Sequence, residues 1–146
     1  HSKINYEYAQ ENPNNYKTYS ENSWGLTASY TKNEDGSVGY AAHSPDDDHG
    51  VVSPTAAVSS IPYTPKESLR AIRYFYEDQN DLLWGSAGFY DAFSLDGGDW
   101  VAERYLAIDQ GPMMVMIENY RSGLIWDLFM SAPEVQQGLE KLEFTR

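Results

Sequence analysis

The segment from residue 102 to residue 130, AERYLAIDQGPMMVMIENYRSGLIWDLFM, constrains the fold more than any other part of the chain. Its second half is the most apolar stretch, and residues 113–117 are all apolar, which is typical of a helix packed on every side. Asp109, Glu118 and Arg121 nevertheless lie inside it. Because burying an unpaired charge is costly, the segment predicts an inner helix whose charges face a cavity or each other.

Two interpretations remain open for each of these charges. Gly111-Pro112 is predicted to open the helix, which makes Asp109 either an N-cap or a carboxylate presented to a binding site from the helix end. Glu118 and Arg121 lie three residues apart on one face, so we predict an ion pair that holds neighbouring loops. Direct contact of Arg121 with a substrate is the alternative.

Proline and capping signals predict three further helices. Ser53-Pro54 is expected to start a short helix that ends near Ser60. Two capping boxes, at 64–67 and 131–134, are expected to open helices that run to about Gln79 and Lys141. Helices therefore dominate, and the predicted fold class is all-α with short strands and long loops.

The strands and loops are predicted from turn residues. Residues 24–30 and 37–43 resemble short strands on either side of the turn TKNEDG, and SPDDDHG (44–50) is a further loop. Residues 80–99 form a long predicted loop rich in glycine and aromatic residues. Loops of this length are often functional, because binding residues tend to lie on loops held by a rigid frame.

Two residues in or near these loops are candidates for sugar binding. Asp91, in GFYDAF, follows two aromatic residues, so it can accept hydrogen bonds from sugar hydroxyls or simply cap a turn while Phe89 and Phe93 anchor the core. Trp24 can stack on a sugar ring or belong to the core. Aromatic residues make up 14% of the chain, which suits either role.

Composition excludes several classes of partner and site. The net charge of −12 argues against binding nucleic acid or anionic membranes. The absence of cysteine rules out disulfides and thiolate chemistry. Asp46, Asp47, Asp48 and His49 lack the alternating spacing of a calcium loop, so we predict a solvated acidic turn and no metal or cofactor.

Carbohydrate chemistry is the enzyme class that the residues favour. Glycoside hydrolysis uses two carboxyl groups, and Asp91, Asp109 and the deeper Glu118 are available. The three histidines lie in the first third of the chain without a GxSxG motif, and the sequence has no Walker loop or GxGxxG. The opening HSKINYEY has neither an initiator Met nor a signal peptide, so we expect either a piece of a longer protein or a processed product.

Four stretches resemble the glucoamylase-like family, which includes bacterial endo-β-1,2-glucanases and is frequent in Bacteroidetes-type bacteria. They are WGLTASY, HGVVSPTAAVSSIPYTPKESLRAIRYFYED, LWGSAGFYDAFSL and YLAIDQGPMMVMIENYRSGLIWDLFMSAPEVQQGLEKL. The resemblance implies an (α/α)6 toroid, of which residues 1–146 would be a single partial domain, the C-terminal third. The missing N-terminal part would supply the proton donor, and either that part or another chain would cover residues 113–117.

The resemblance also implies roles for individual residues. Asp109 of IDQGP would be the base-side carboxylate, with Asp91 as its competitor. The expected substrate-binding residues are Trp24, Tyr90, Gln110, Glu118 and Arg121. The implied activity is a periplasmic or secreted glycoside hydrolase that cleaves β-glucan, expected to be endo-β-1,2-glucan, with inversion. The alternative is a catalytically inert carbohydrate-binding or structural fragment.

Overall fold

The computed structural model describes residues 1–144. This part of the chain is mainly helical, as predicted. Its seven α-helices are α1 (Ser2–Glu11), α2 (Pro54–Ser59), α3 (Pro65–Arg73), α4 (Asn80–Leu83), α5 (Ala107–Ser122), α6 (Leu124–Ser131) and α7 (Pro133–Lys141).

Short antiparallel hairpins contribute more of the fold than the sequence predicts. The first, β1 (Ser29–Lys32) with β2 (Val38–Ala41), turns within the predicted TKNEDG segment, although Thr31 and Lys32 already belong to β1 and residues 24–28 form no strand. The stretch 80–99, predicted as one loop, holds α4 and most of two more hairpins. Those pairs are β3 (Trp84–Gly85) with β4 (Gly88–Phe89), and β5 (Ala92–Ser94) with β6 (Trp100–Ala102). Strands of two or three residues are too short to show an alternating pattern.

Two helices begin where predicted, but without the predicted caps. α2 follows Ser53, and α3 follows Thr64. The Thr64 hydroxyl donates to the Ser60 carbonyl, 3.2 Å away, and therefore turns back toward the preceding turn. The helix that was predicted to run to Gln79 changes after Arg73 into a π-helical turn, Tyr74–Asp78. The N–H of the next residue, Gln79, donates to the Tyr74 carbonyl.

The apolar helix begins earlier and ends earlier than predicted. α5 starts at Ala107, so Asp109 lies inside its first turn, and Pro112 is already within the helix. Gly123, at φ 72°, ends α5 in a left-handed conformation that favours glycine, and α6 follows directly. α7 starts after Ala132, and the Ser131 hydroxyl donates to the Leu128 carbonyl, so the predicted capping box is not formed there.

The core lies between α1, α2, α3, the β5–β6 hairpin and the inner side of α5. Its fully buried large side chains include Trp24, Val52, Phe75, Leu83 and Phe93. Phe89 and Phe93 are both buried, which agrees with the interpretation that they anchor the segment 80–99 in the core. α2 packs directly against α5.

Gly25 lies where the segment before β1 contacts the start of α2. A Cβ at this position would lie 2.6 Å from the Ser53 carbonyl oxygen, and φ is 133°. The Ser53 N–H donates to the Gly25 carbonyl at 2.9 Å. This close approach, which only glycine permits, holds residues 24–28 beside the start of α2.

Residues 113–117 are packed on one side only within this chain, as expected if a further part of the protein covers the other side. Met113 is buried, whereas Met114 is 63% exposed and Val115 is 37% exposed. Within residues 1–144, α6 and α7 bury no side chain. None of the helices in the described part is long and apolar enough to cross a bilayer.

Candidate active site

A cavity of about 310 Å³ lies between the start of α1, residues 24–28, α2 and the first two turns of α5. The size is at the lower end of small-molecule sites. Its wall consists of His1, Ser2, Asn5, Trp24, Gly25, Leu26, Thr27, Ala28, Tyr40, Thr55, Ala56, Ser59, Ser60, Ile108, Asp109 and Pro112. The wall combines apolar surface with hydroxyl, amide and carboxyl groups.

α2 supplies hydroxyl groups to this wall. Thr55 and Ser59 are four residues apart and therefore lie on one face of the helix, with Ser60 beside them. The buried Thr55 Oγ1 and Trp24 Nε1 have no hydrogen-bond partner within residues 1–144. Sequence reasoning used the Ser and Thr residues of this stretch only as helix signals. Their four-residue spacing could have identified them as a polar face.

Asp109 is the carboxyl group of the cavity wall. It is half-buried in the first turn of α5, with Ile108 and Pro112 as neighbours in the wall. The free N–H groups at the start of a helix favour a negative charge there. The prediction of a carboxylate at the mouth of the helix therefore agrees with its position, although the helix begins at Ala107.

Asp91 lies directly behind Asp109 and is completely buried. Its backbone, between β4 and β5, is fixed by an N–H bond to the Arg104 carbonyl at 3.0 Å. Its Oδ2 accepts the Tyr30 N–H from β1 at 2.9 Å. Three separate segments therefore meet at this carboxyl group.

The two carboxyl groups lie within hydrogen-bond reach of each other. Asp91 Oδ1 and Asp109 Oδ2 are both buried and receive no donor from any other group in residues 1–144. Two ionised carboxylates cannot hydrogen-bond, because each only accepts. The contact is satisfied when one proton is shared by the pair.

Burial and proximity change how the pair ionises. Burial first, and then the neighbouring Asp91 carboxyl, raise the pKa of Asp109 to about 7. Burial also raises the pKa of Asp91, while hydrogen bonds from Tyr30 N–H and from Asp109 oppose that rise. The charge therefore resides on Asp91 and the proton on Asp109 until the pH reaches about neutrality.

This contact excludes Asp91 and Asp109 as the two opposed carboxyl groups of an inverting glycosidase. Such groups lie about 6.5–9.5 Å apart with a water molecule between them. Carboxyl groups in hydrogen-bond contact leave no room for that water. Asp91, moreover, has no exposed surface. If Asp109 acts on a substrate, its opposite partner must be another residue.

Three of the predicted substrate-binding residues have different surroundings. Trp24 is in the cavity wall but is only 1% exposed, with its ring packed edge-on against Tyr6. The Gln110 amide donates to the Phe89 carbonyl at 3.0 Å, which ties α5 to β4. Tyr90 packs on Tyr105, with ring centroids 5.4 Å apart. Gln110 and Tyr90 lie outside the cavity wall.

Glu118 and Arg121 form the predicted ion pair, with Arg121 Nη1 3.7 Å from Glu118 Oε2. The pair lies at the surface, however, where the two side chains are 36% and 73% exposed. Neither residue belongs to the cavity wall. Exposed ion pairs stabilise a fold by about 0–1 kcal/mol, so this pair is a weak structural contact.

The acidic turn at 46–49 is only partly solvated. Asp46 and Asp47 are exposed, but Asp48 is half-buried and accepts hydrogen bonds from the Tyr8 and Tyr19 hydroxyls, the Asn14 amide and the Gly50 N–H. Burial alone would raise the pKa of Asp48, but these hydrogen bonds lower it. Asp48 therefore anchors α1 to the loop.

Comparison with known proteins gives consistent results. The family described as "Putative glucoamylase" matches residues 1–133. A solved structure from Bacteroides uniformis, described in the same words, is 59% identical with a TM-score of 0.88. An endo-β-1,2-glucanase from Chitinophaga pinensis, solved with sophorotriose and glucose, is 55% identical with a TM-score of 0.88. Each match covers 97% of this chain and 33% of the other.

A relative from Parabacteroides distasonis is described as an exo β-1,2-glucooligosaccharide sophorohydrolase acting at the non-reducing end. It is 44% identical over 144 residues. The match covers 97% of this chain but 19% of the relative. The chain therefore spans a third or less of the length of these proteins.

Proposed function

The chain belongs to the glucoamylase-like family, and we propose that the longer protein containing it is a glycoside hydrolase that cleaves β-1,2-linked glucan. Two of the relatives are named for action on β-1,2-linked glucose chains. The observation that carries the proposal is the half-buried Asp109 in the wall of a cavity rich in hydroxyl groups. A carboxyl group beside hydroxyl and amide side chains suits a sugar.

Asp109 is the base-side carboxylate in this proposal. It would take a proton from the water molecule that attacks the sugar, and the product anomer would be inverted. Asn5, Thr27, Ser59 and Ser60 are positioned in the same wall to exchange hydrogen bonds with sugar hydroxyls. The protonated acid on the opposite side comes from another part of the protein, because Asp91 is in contact with Asp109.

Residues 1–146 form the C-terminal third of an (α/α)6 toroid in this proposal. The support is the share of the Bacteroides and Chitinophaga structures that the chain covers, 33% in each case. A second support is the apolar surface of α5 and α6, which the chain does not cover itself. Its exposed residues are Met114, Val115, Leu124, Ile125, Leu128 and Phe129.

The preceding part of the same domain is the occupant that we propose for this surface. Contiguous apolar surface of this kind usually marks an interface. The relatives are about three times as long as this chain, which provides enough additional protein to cover it. We place the complete enzyme in the periplasm or outside the cell, where a polymeric glucan would be encountered.

An inert fragment is the second candidate for the chain by itself. Asp109 is the one acidic residue in the wall of the cavity formed by residues 1–144. An inverting glycosidase requires two carboxyl groups, so the segment can bind a sugar without hydrolysing it. The complete protein distinguishes the two cases.

The test is hydrolysis of linear β-1,2-glucan by the full-length protein, followed by NMR assignment of the first anomer released. We expect oligosaccharides of mixed length, as from an endo enzyme, in the α-configuration. Release of disaccharide alone would indicate exo action. The absence of products from β-1,2-glucan and from other β-glucans would refute the proposed function.

A further inference from the structure

The sequence offered Asp91 and Asp109 as competitors for one catalytic role, whereas their geometry assigns them different ones. Asp109 reaches the cavity wall, and Asp91 is completely buried behind it. Asp91 is fixed through its own backbone N–H and through the Tyr30 N–H on its Oδ2. Only its Oδ1 remains without another partner in residues 1–144, and Asp109 is the neighbouring group that can share a proton with it.

We propose that Asp91 acts through Asp109 as a positioning residue: the shared proton holds the protonated Asp109 carboxyl in the resting pair, and release of that proton sets the pH at which Asp109 can act as a base. The proposal rests on the function proposed above only for its kinetic readout. The contact itself depends on atoms within residues 1–144.

The arrangement gives the two oxygens of Asp109 different tasks. Oδ2 is buried and requires the contact with Asp91, since it has no other partner in the described part of the chain. Oδ1 is then the oxygen available to the cavity. Rotation of the carboxyl group would remove the hydrogen bond and leave two buried oxygens unsatisfied, which costs about 1–3 kcal/mol for each group. Asp91 therefore restricts the orientation of the protonated Asp109 carboxyl group.

The ionisation of Asp109 follows from the same contact. The pKa of Asp109 is raised to about 7 by burial and by Asp91. The other titratable groups nearby are His1 and Tyr40 in the cavity wall, and Tyr30 and Arg104 next to Asp91. The Arg104 guanidinium lies over the Tyr30 ring, 5.2 Å from its centroid. Burial and Asp91 alone account for the shift of Asp109.

The direction of the pH effect follows from the sign of this shift. A carboxyl group with a raised pKa stays protonated up to about that pH, and a base must be unprotonated. kcat/KM of the full-length enzyme should therefore fall as the pH decreases through about 7. A variant in which residue 91 carries no negative charge should show this fall in kcat/KM at lower pH.

Asp91→Asn is the informative variant, because an asparagine has the same shape. Its side-chain oxygen can still accept the Tyr30 N–H, while its amide N–H₂ donates to Asp109. Asp109 then loses a negative neighbour and gains a donor, both of which favour its ionised form. We expect the acid limb of the kcat/KM profile to move down by about 1 pH unit or more.

Asp35→Asn is the matched control, since it changes the net charge equally in the exposed turn between β1 and β2. Its acid limb should coincide with that of the wild type. Asp91→Ala, which removes both the charge and the hydrogen bond, should move the acid limb in the same direction as Asp91→Asn. If Asp91→Asn leaves the acid limb unchanged, the positioning role is wrong, whatever its effect on stability.

Infrared spectroscopy separates this inference from the proposed activity. The protonated carboxyl band that disappears in Asp109→Asn identifies Asp109, and its loss with rising pH can be followed in the full-length protein without substrate. We expect titration near pH 7 in the wild type and at lower pH in Asp91→Asn. Titration of Asp109 in its ordinary acidic range in both proteins would overturn the inference, even if β-1,2-glucan is hydrolysed.

Discussion

The first hundred residues and the last forty of the chain differ in how far they bury their apolar side chains and provide hydrogen-bond partners for their polar ones. In the first region, buried aromatic residues such as Trp24, Phe75 and Phe93 form a core, and carboxylates such as Asp48 are surrounded by donors. In the second, α6 and α7 bury no side chain within the described residues, and Phe129 is 63% exposed.

α5 belongs to both regions, which is why the difference is informative. Its first turn carries Asp109 into the cavity, and Met113 is buried in the core. Farther along, Met114 and Val115 are exposed together with the apolar side chains of α6. The first region buries its own apolar side chains, whereas the second leaves them exposed within the described residues. The site lies where the two meet.

Phe93→Ala has the largest expected effect on stability. Phe93 lies in β5, is fully buried and packs against Phe75, so truncation of its side chain leaves a cavity in the core of the first region. We expect the free energy of unfolding of the full-length protein to fall by about 3–5 kcal/mol, measured by urea denaturation. A loss below about 1 kcal/mol would show that this core is not the main support of the region.

Phe129→Ala tests the second region. If Phe129 were exposed in the complete protein, as it is in this chain, its replacement would change stability by less than about 0.5 kcal/mol. If the rest of the domain covers it, we expect a loss of about 2–4 kcal/mol. Hydrogen exchange along α6 in the full-length protein provides an independent check, because a covered helix is protected. A neutral substitution with a rapidly exchanging α6 would contradict the proposed toroid.

Arg121→Ala has the smallest expected effect. Its pair with Glu118 is exposed and lies outside the cavity wall, so we expect a change of about 0–1 kcal/mol in stability. KM for β-1,2-glucan should remain within about twofold of the wild type. A large increase in KM would instead support the alternative that Arg121 contacts the substrate, with the glucan extending beyond the cavity along α5.

The sequence predicts those parts of the fold that depend on local chemistry. Pro54, Pro65 and Pro133 mark the starts of three helices, and TKNEDG marks the β1–β2 turn, because proline and turn residues restrict the backbone directly. The start of α5 was misplaced at Gly111, since a proline inside a helix resembles a proline at its start.

The site was predictable only in part. Asp91 and Asp109 were recognisable as candidates from their positions near aromatic residues and a helix end. Their mutual contact depends on tertiary packing that brings β1, the 89–92 segment and α5 together, and no local pattern encodes it. The hydroxyl groups of α2 were visible as a four-residue spacing, but the cavity that they face is formed by five separate segments.

Asp109→Asn tests the central claim most directly, namely that the carboxyl group in this cavity performs the chemistry. The initial rate of β-1,2-glucan hydrolysis by the full-length variant is compared with those of the wild type and Asp35→Asn at equal thermal stability. We predict a loss of kcat of about 10²–10⁴-fold for Asp109→Asn and wild-type rates for Asp35→Asn. A folded Asp109→Asn enzyme with kcat within a few-fold of the wild type would contradict this assignment of the site.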